Sequence, residues 1–476
     1  MKIIYISFNT NSWSRTALFE SALSDAQFES NEVSFFQSYI PETFSLDLPF
    51  SNKIEMKKFE RLDRHLKDKL RLHGVFLEQL TYESNQHEVL IDDNDFQIGY
   101  EETISKTRDS DPCGTHTRRA QLHYAKQYRA LKDYLTDFLI HRSPDLVVIF
   151  NGRFYRENAA WHAALKLGIQ VRFVERFSPS WSSRYFTFQE PVHKSKYRCG
   201  VIMDFCLQKN LFGSERELGV AQEWFSDRES GVTQRFTEIQ NTRFVRDFSK
   251  KLIVFFHSSE DELLTTNLRS NIWHNQISFV KELARFSTLQ KNIQLVIRLH
   301  PNLQSKSSRD RLRWRNLARN LSSESIVFIL PESSISSYGL LRDADAVITF
   351  GSTIGIEASA IGKLSILAGP ALHEDLGATV NLTSFEDLSE YLNSPITEER
   401  LLERKYAALA YGYFYAKGGI HFQSVTLVGN SHSQDPRFSL FGVPLYTSRI
   451  FSFGKRLEGI LRKRIVNHSD FNCNCE

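Results

Sequence analysis

The sequence predicts an α/β protein with two Rossmann-like domains, each built on a parallel sheet, and a cleft between the domains. Short apolar runs of buried-strand type alternate with helical patterns, as at 251–256 (KLIVFF) and 293–299 (IQLVIRL). The stretch 341–370 has the order helix end, strand, tight turn, helix and strand, which is a unit of a parallel sheet. A chain of 476 residues is also longer than a domain with a single hydrophobic core usually is, so two domains are expected.

Composition shifts along the chain suggest three parts. We expect an N-terminal Rossmann-like domain with helical insertions at 1–245 and a second Rossmann-like domain at 246–400. The remainder, 401–476, is aromatic and then basic, and we expect a helical extension that packs back on the N-terminal domain.

The N-terminal part begins with a strand at 1–8, a helix at 16–25 and a strand at 33–36. No Gly-x-Gly-x-x-Gly follows the first strand, which argues against dinucleotide binding. The next segments are expected to be solvated helices at 51–83, an irregular loop at 84–115, a long helix at 120–141, strands at 145–150 and 171–174, and mixed loop and helical segments at 178–250.

The C-terminal part alternates regularly. Strands are expected at 251–256, 293–299, 325–330, 346–350 and 364–367, and helices at 275–286, from 337 onward, at 354–361, 385–392 and 398–411. Ser384 precedes the fourth of these helices and Asp387 occupies its capping-box position, so this helix start is specified locally.

Composition excludes several classes of protein. The hydrophobic fraction of 41% and the charged fraction of 24% are those of a soluble globular protein, and a net charge of +3 does not call for nucleic acid. Five scattered cysteines indicate a reducing compartment and no disulfide framework. With no secretory leader or transmembrane run in view, we expect a cytoplasmic protein.

The segment 451–466 has the pattern of a basic amphipathic helix. Two interpretations are equally open. The helix either contacts an anionic inner membrane, which would make the protein peripheral there, or docks on the N-terminal domain.

Polar side chains follow several strands of the C-terminal domain. Ligands of parallel sheets lie at the carboxyl ends of the strands, so these side chains are candidates for a binding site. Ser352 and Thr353, after Gly351, suit a phosphate at a helix N-terminus, and Glu357 lies one turn further on. His300 can donate a hydrogen bond to a phosphoryl oxygen. The other candidates at these strand ends are Ser258, Ser259, Glu260, Arg298 and Ser334.

Two strands of the N-terminal domain also end in polar residues. Asn151 and Arg153 follow one strand, and Glu175 and Arg176 end the next. They form either one wall of a site that faces the other domain or a pair of surface salt bridges.

Other sites are not indicated. Asp343 and Asp345 precede their strand and so face the wrong end for a metal-binding Asp-x-Asp pair. The sequence has no P-loop and no Gly-x-Ser-x-Gly elbow, and Cys473 and Cys475 lack partners with zinc spacing. We therefore expect no metal and no cofactor.

Several segments together resemble the bacterial capsule and surface-polysaccharide synthesis family, whose relatives are glycosyltransferases of the two-Rossmann GT-B type. They are FFHSSEDEL, VIRLHPN, SSYGLLRDADAVITFGSTIGIEASAIGK and, more loosely, FNGR and VERF, all within about 145–380. The His-Pro and Ser/Thr elements are similar to those of capsule Kdo transferases and bacterial polysialyltransferases. The Gln-Pro element of the former and the acidic-acidic-Gly motif of the latter are missing, so the nucleotide base stays open.

The resemblance implies a metal-independent glycosyltransferase that uses a nucleotide-sugar, with a CMP-sugar favoured. The acceptor would be a growing bacterial surface polysaccharide, such as a capsule or lipopolysaccharide glycan, or a lipid-linked glycan. His300 would bind the donor phosphate, Ser352 and Thr353 would flank it, and Glu357 would meet the ribose. The remaining donor-side residues would be Ser258, Ser259, Arg298, Ser334, Tyr338 and Gly351. Asn151, Arg153 and Arg176 would lie on the acceptor side, with Glu175 or else Glu260 as general base.

Two other interpretations stay open. A non-hydrolysing UDP-N-acetylglucosamine 2-epimerase shares the double Rossmann plan and a similar turn before a helix that carries a Glu. A non-catalytic nucleotide-sugar-binding subunit of a polysaccharide assembly would show neither transfer nor hydrolysis.

Overall fold

The computed structural model contains two sheets of mainly parallel strands, with helices on their faces, and a small antiparallel sheet near the C-terminus. It describes residues 1–8, 12–38, 49–80, 90–107, 115–176, 183–191, 193–230, 242–259, 272–273, 275–394, 396–428 and 437–445. The candidate Glu260 and the basic segment 451–466 lie outside these ranges.

The strands are β1 (Lys2–Ser7), β2 (Glu32–Gln37), β3 (Val75–Gln79), β4 (Leu146–Phe150), β5 (Gln170–Arg176), β6 (Arg184–Phe188), β7 (Lys251–Phe256), β8 (Ile293–Arg298), β9 (Ile326–Ile329), β10 (Ala346–Thr349), β11 (Leu364–Leu367), β12 (Val380–Asn381), β13 (Ile420–His421), β14 (Val425–Val428), β15 (Arg437–Leu440) and β16 (Val443–Pro444).

The helices are α1 (Ser12–Ala26), α2 (Pro49–Leu72), α3 (Asp93–Thr107), α4 (Thr115–Arg142), α5 (Tyr155–Lys166), α6 (Ser195–Gln208), α7 (Glu215–Glu229), α8 (Gln276–Leu289), α9 (Ser308–Leu321), α10 (Ser337–Asp343), α11 (Ile354–Ala360), α12 (Phe385–Asn393) and α13 (Glu398–Lys417). Short 3-10 turns occur at Leu211–Gly213, Pro301–Ser305 and Glu374–Leu376.

The N-terminal sheet has the strand order β13-β6-β5-β4-β1-β2-β3. Its middle strands are parallel and carry unbroken apolar runs, because helices cover both faces. From β1 the chain first extends the sheet on one side with β2 and β3. It then returns to add β4 and β5 on the other side, so the direction of winding changes between β1 and β4.

The C-terminal sheet has the order β12-β11-β10-β7-β8-β9, and all of its neighbouring strands are parallel. Separate apolar clusters cover its two faces. The chain winds outward from β7 through β8 to β9 and then returns beside β7 with β10. The change of winding direction therefore falls between β7 and β10.

The helix α13 packs against α6 and α7, which come after β6 of the N-terminal sheet, and against α11, which connects β10 to β11 of the C-terminal sheet. The hydroxyl of Tyr413 donates to Glu217 Oε2 at 2.6 Å, and Leu409 shares a buried cluster with Ala360 of α11. Beyond α13 the strand β13 pairs with β6. The predicted boundaries at 245 and 400 stay a prediction.

The two parallel sheets confirm the fold class predicted from the sequence, whereas two local predictions are wrong. The segment 84–115 contains α3, where the buried Asp95 accepts a hydrogen bond from Lys132 on α4. The segment 51–83 contains β3 after α2. Gly74, at φ +78°, ends the helical stretch and lets the chain turn into a strand that pairs with β2. None of the helices in the described ranges combines the length and apolar character that crossing a membrane requires.

Candidate active site at the carboxyl ends of the strands

In open α/β sheets, a change of winding direction such as that between β7 and β10 marks the crevice at the carboxyl ends of the strands where ligands usually bind. Ser258 follows β7 and is buried there. Its hydroxyl donates to the carbonyl oxygen of Phe350 at 2.5 Å, which joins the ends of the two strands. Ser258 thus holds the floor of this crevice, and Ser259 beside it is half-buried.

The turn after β10 places two hydroxyl side chains at this crevice. Gly351 has a φ of +100°, a conformation that favours glycine. Ser352 and Thr353 are both half-buried, and Thr353 makes no side-chain capping hydrogen bond to α11. Helix α11 has only 7 residues, ending one residue earlier than predicted, so the hydroxyls are a better basis for anion binding than its dipole.

His300 follows β8 and is fixed by two hydrogen bonds. Its Nδ1 accepts from the N–H of Asn302 at 3.0 Å, so the neutral ring carries its proton on Nε2. Its backbone N–H donates to Nδ1 of the buried His257 at 3.3 Å. His257 packs edge-on against Trp314, and burial, with the nearby His300 and Lys306, lowers its pKa well below the ordinary value. A neutral His257 therefore orients His300, a role the sequence did not indicate.

Arg298 does not present its guanidinium to the crevice, and the prediction of a donor contact needs correction. The side chain is 1% exposed, and burial lowers its pKa to about 10. It donates to the carbonyl oxygen of Leu330 at 2.5 Å and to the hydroxyl of Ser337 at 3.3 Å. Arg298 therefore fastens the end of β9 and the start of α10.

Ser334 is exposed and lies in the segment between β9 and α10. Its hydroxyl is 2.9 Å from that of Thr242, and its carbonyl oxygen accepts from the N–H of Thr242. Its observed contacts thus hold the segment that precedes β7.

Glu357 is buried and shared by two donors. One oxygen accepts from Nε and Nη2 of Arg228 at 3.1 and 2.9 Å, and the other accepts from the hydroxyl of Tyr338 at 2.6 Å. The carboxylate raises the pKa of Arg228, and burial together with Glu357 raises that of Tyr338. Glu357 is therefore already neutralised by protein groups, and the ribose role predicted for it stays a prediction. Arg228 was missed because its helix carries no motif.

The end of β4 is a tight turn with two residues in the left-handed region, Asn151 at φ +46° and Gly152 at φ +73°. The amide of Asn151 donates to Glu175 Oε2 at 2.9 Å, and its oxygen accepts from the N–H of Arg153 at 2.8 Å. The turn thus orients the Glu175 carboxylate at the carboxyl end of the N-terminal sheet. The sequence prediction that these residues from two strands come together is correct for Asn151, Arg153 and Glu175.

Burial raises the pKa of Glu175. The N–H of Arg176, the positive charges of Arg153 and Arg198, and the amide of Asn151 oppose that shift. A carboxyl group whose pKa is raised and whose orientation is fixed suits proton transfer near neutral pH.

Arg176 is on the other face of β5 from Glu175 and does not join this group, which corrects its predicted placement. Its guanidinium is buried over the rings of Phe438 and Phe422, at 4.6 and 5.0 Å, and donates to the hydroxyl of Thr16 at 3.0 Å. Burial lowers its pKa to about 9. Arg176 thus anchors the chain after α13 to the N-terminal sheet.

Arg198 connects the two halves of the site. Its charge opposes the rise in the pKa of Glu175 at the end of β5, and it adds to burial in lowering the pKa of His373 in the segment after β11. The helix α6, which carries Arg198, also packs against the segment after β11, where Cys199 donates to the carbonyl oxygen of Leu372. Neither Arg198 nor His373 was singled out from the sequence, since both lie outside the strand-end motifs.

The part of the chain that the structure describes contains no preformed metal site. No group of three or more His, Cys, Asp or Glu side chains there is arranged to hold an ion. Metal independence stays a prediction.

No protein-family model matches the sequence, and no curated protein matches it. Among solved structures, the chain is similar to UDP-GlcNAc 2-epimerase from Neisseria meningitidis bound to UDP-GlcNAc, with 12% identity over 88% of this chain and 98% of that one and a TM-score of 0.30. It is also similar to KpsC, a β-Kdo 2,4 transferase from Thermosulfurimonas dismutans, with 13% identity over 62% and 82% and a TM-score of 0.35.

A third similar structure is MurG from Acinetobacter baumannii, with 12% identity over 86% of this chain and 94% of that one and a TM-score of 0.29. Kdo transferases are among the enzymes named by the sequence resemblance, and a UDP-GlcNAc 2-epimerase is one of the two alternative interpretations. At this level of similarity the alignments assign no activity to this chain, and its function has to be argued from the site.

Proposed function

We propose that this protein is a glycosyltransferase that moves a sugar from a nucleotide-sugar to an acceptor hydroxyl, in the crevice at the carboxyl ends of its two sheets. One observation carries the proposal. At the carboxyl end of the C-terminal sheet, His300 follows β8 and the turn 351–353 follows β10, the two strands on either side of β7 and its Ser258, while Asn151 orients Glu175 at the corresponding end of the N-terminal sheet. Phosphate binding and proton abstraction, the two tasks of such a transfer, thus have separate sets of residues.

The donor would lie at the C-terminal sheet with its phosphate against His300. The Nε2–H of the neutral ring is a donor for a phosphoryl oxygen, and the hydroxyls of Ser352 and Thr353 are suited to the remaining oxygens. As the bond to the sugar breaks, negative charge grows on the phosphate. Fixed donors at that position stabilise the leaving group without reorganisation.

Glu175 would act as the general base. In its ionised form it would accept the proton of the acceptor hydroxyl as that oxygen attacks the sugar carbon. Asn151 holds one carboxylate oxygen, and the raised pKa makes the group a stronger base than an exposed carboxylate. Glu260, the alternative base, lies outside the described residues.

Four finer points extend this proposal on the strength of the sequence alone. The donor would be a CMP-sugar, and the acceptor a growing bacterial surface polysaccharide or glycolipid. No metal or cofactor would be required. The segment 451–466 would bring the enzyme to the cytoplasmic side of the inner membrane through its basic residues.

The first test is calorimetric titration with CMP, CDP, UDP and GDP, using the wild type and His300→Ala. We expect one nucleotide to bind and the variant to lose about tenfold or more in affinity. His65→Ala, at an exposed position on α2, is the matched control and should bind like the wild type. If a folded wild-type protein binds none of the four, the donor site is wrong.

The second test uses the sugar form of the nucleotide that binds. Transfer to a glycan acceptor should fall by about 10²- to 10⁴-fold in Glu175→Gln while nucleotide affinity is kept. Conversion of the sugar nucleotide without any acceptor would instead identify an epimerase. Binding without either reaction would identify a non-catalytic subunit.

A further inference from the structure

We propose that Arg198 and His373, together with Arg153, form a second oxyanion subsite that takes a phosphate or carboxylate group of a substrate. The subsite lies between the end of β5 and the segment after β11, apart from the donor position at His300. This inference rests on the proposed function only in that the crevice receives a substrate. It adds the chemical class of a group on that substrate.

His373 carries an unused polar atom in a buried place. The side chain is 2% exposed, and its Nε2 has no hydrogen-bond partner among the described residues. Its ring meets Tyr411 of α13 edge to face, with 6.4 Å between the ring centroids. A buried polar atom without a partner is destabilising, so its presence calls for an explanation. A ligand atom that bonds Nε2 supplies one.

Arg198 provides charge beside this histidine. The guanidinium has five N–H donors, and within the described ranges its one hydrogen-bond partner is the hydroxyl of Tyr415. It is half-buried and makes no ion pair with any described carboxylate. An arginine held this way keeps donors for a planar or tetrahedral oxyanion.

Arg153 adds a second cation close to the carboxylate of Glu175, which Arg198 also affects. Its guanidinium lies 5.0 Å from the ring centre of Phe154, and its Nε is buried with no hydrogen-bond partner among the described residues. Both arginines act on Glu175, whose one negative charge is less than their combined positive charge. The cluster therefore has an excess of positive charge in a partly desolvated place, which favours an anion.

The neighbouring ionisable groups are consistent with a positive environment. The pKa of His373 is lowered to about 3 by burial and Arg198, and that of His193 to about 4 by burial, Lys194, Arg153 and His162. Both rings are therefore neutral, and neither adds charge. The acids beside His373 do not neutralise the arginines: Glu374 accepts from the N–H of Ala371 at 3.1 Å, and Asp375 is exposed.

The packing holds the subsite in place from both sides. Cys199, next to Arg198 on α6, donates to the carbonyl oxygen of Leu372 at 3.9 Å. The N–H of Asp375 donates to the hydroxyl of Ser195 at 3.4 Å. The start of α6 and the segment after β11 thus form one packed unit, which fixes His373 relative to Arg198.

The test measures binding of glucose 1-phosphate, glucuronic acid and glucose by calorimetry at constant ionic strength. The variants are Arg198→Gln and His373→Asn, with Arg319→Gln, an exposed arginine on α9, and His65→Asn as matched controls. We expect at least one anionic sugar to bind, glucose to bind more weakly, and each subsite variant to lose about tenfold or more in affinity. Binding of the phosphate alone identifies a phosphate group, and binding of glucuronic acid alone identifies a carboxylate.

Two results would overturn the inference. One is that the wild type binds neither anionic sugar. The other is that Arg198→Gln binds the anion as the wild type does. Arg198 is half-buried, so this position tolerates the loss of its charge better than the buried His373 tolerates substitution. The nucleotide titration separates this outcome from the donor site. We expect Arg198→Gln to lose affinity for the anionic sugar and His300→Ala to lose affinity for the nucleotide, so either site can fail without the other.

Discussion

Arg228 donates two hydrogen bonds to one carboxylate oxygen of Glu357, at 3.1 and 2.9 Å. This pair joins α7, which comes after β6 of the N-terminal sheet, to α11, which connects β10 to β11 of the C-terminal sheet. Arg228 lies in the last turn of α7, whose Phe225 lies in the core beside the N-terminal sheet, and Glu357 lies on α11 after β10. Both side chains are largely buried, with exposures of 16% and 7%. The pair is therefore a fixed link across the region where the two halves of the molecule meet.

Replacing Arg228 by Ala should destabilise the protein by about 3 kcal/mol, because a buried carboxylate loses its only ion-pair partner in the described chain. Tyr338 would remain as a donor, which keeps the loss near the lower end of the range for broken buried pairs. Urea unfolding measures the change. Arg315→Ala, which breaks the exposed pair with Glu332, is the control and should cost less than about 1 kcal/mol. Equal losses of unfolding free energy in the two variants would show that the buried pair stabilises the protein no more than the exposed pair does.

His373 should make the protein less stable in mild acid. Its pKa is about 3 in the folded chain, because burial and Arg198 disfavour the charged ring, whereas an unfolded histidine titrates near its ordinary value. The unfolded state therefore binds the proton first, and stability falls as the pH drops below about 6.5. Between pH 7 and pH 5 this single group accounts for a loss of about 2 kcal/mol.

The measurement compares unfolding free energies at pH 7 and pH 5 in wild type, His373→Asn and His65→Asn. The first variant should lose less stability on acidification than the wild type by about the amount above. The exposed control should follow the wild type. A His373→Asn protein with the wild-type pH dependence contradicts a neutral buried histidine at this position.

Glu175 makes the stability of the protein depend on pH in the opposite direction from His373. Burial raises its pKa in the folded state, so the folded protein holds this proton more tightly than the unfolded chain. The resulting stabilisation is complete below the ordinary carboxyl pKa and is lost as the pH rises through the folded pKa. In Glu175→Gln, stability should therefore fall less than in the wild type as the pH is raised from 4 to 7. Glu223→Gln, exposed on α7, should leave the wild-type pH dependence unchanged.

Much of the fold was readable from the sequence because its strands are buried on both faces. Such strands appear as unbroken apolar runs, as in β7 and β10, whatever their neighbours are. β3 was hidden because its Phe76 and Leu77 continue the apolar spacing of α2, and only the positive φ at Gly74 separates the two. Strand pairing decided that segment, and pairing is not a local property.

The site was readable where it depends on strand ends and not where it depends on packing. Asn151 and Glu175 meet because β4 and β5 are parallel neighbours, which the order of elements implies. Whether a charged residue faces a crevice or the interior is set by contacts far along the chain. Arg176, for example, lies under rings of Phe422 and Phe438. Arg198 and His373 carry no motif and become neighbours only when α6 packs on the turn after β11.

Gly152 should be among the least replaceable glycines of the site. Its φ is +73°, and an added Cβ would lie 2.5 Å from Cε1 of Phe173, a buried ring on β5. Gly152→Ala therefore strains the backbone and displaces either that ring or the turn that holds Glu175. We expect a loss of about 1–3 kcal/mol in unfolding free energy.

Gly200 is the matched control, because it lies within α6 and an added Cβ there meets no atom within 4 Å. Gly200→Ala should stabilise the protein by about 0.5–1 kcal/mol through its better helix propensity. The pair separates a conformational requirement from a general effect of the extra methyl group. If Gly152→Ala unfolds at the wild-type urea concentration, the turn accepts a side chain, and the orientation of Glu175 does not depend on a glycine at this position.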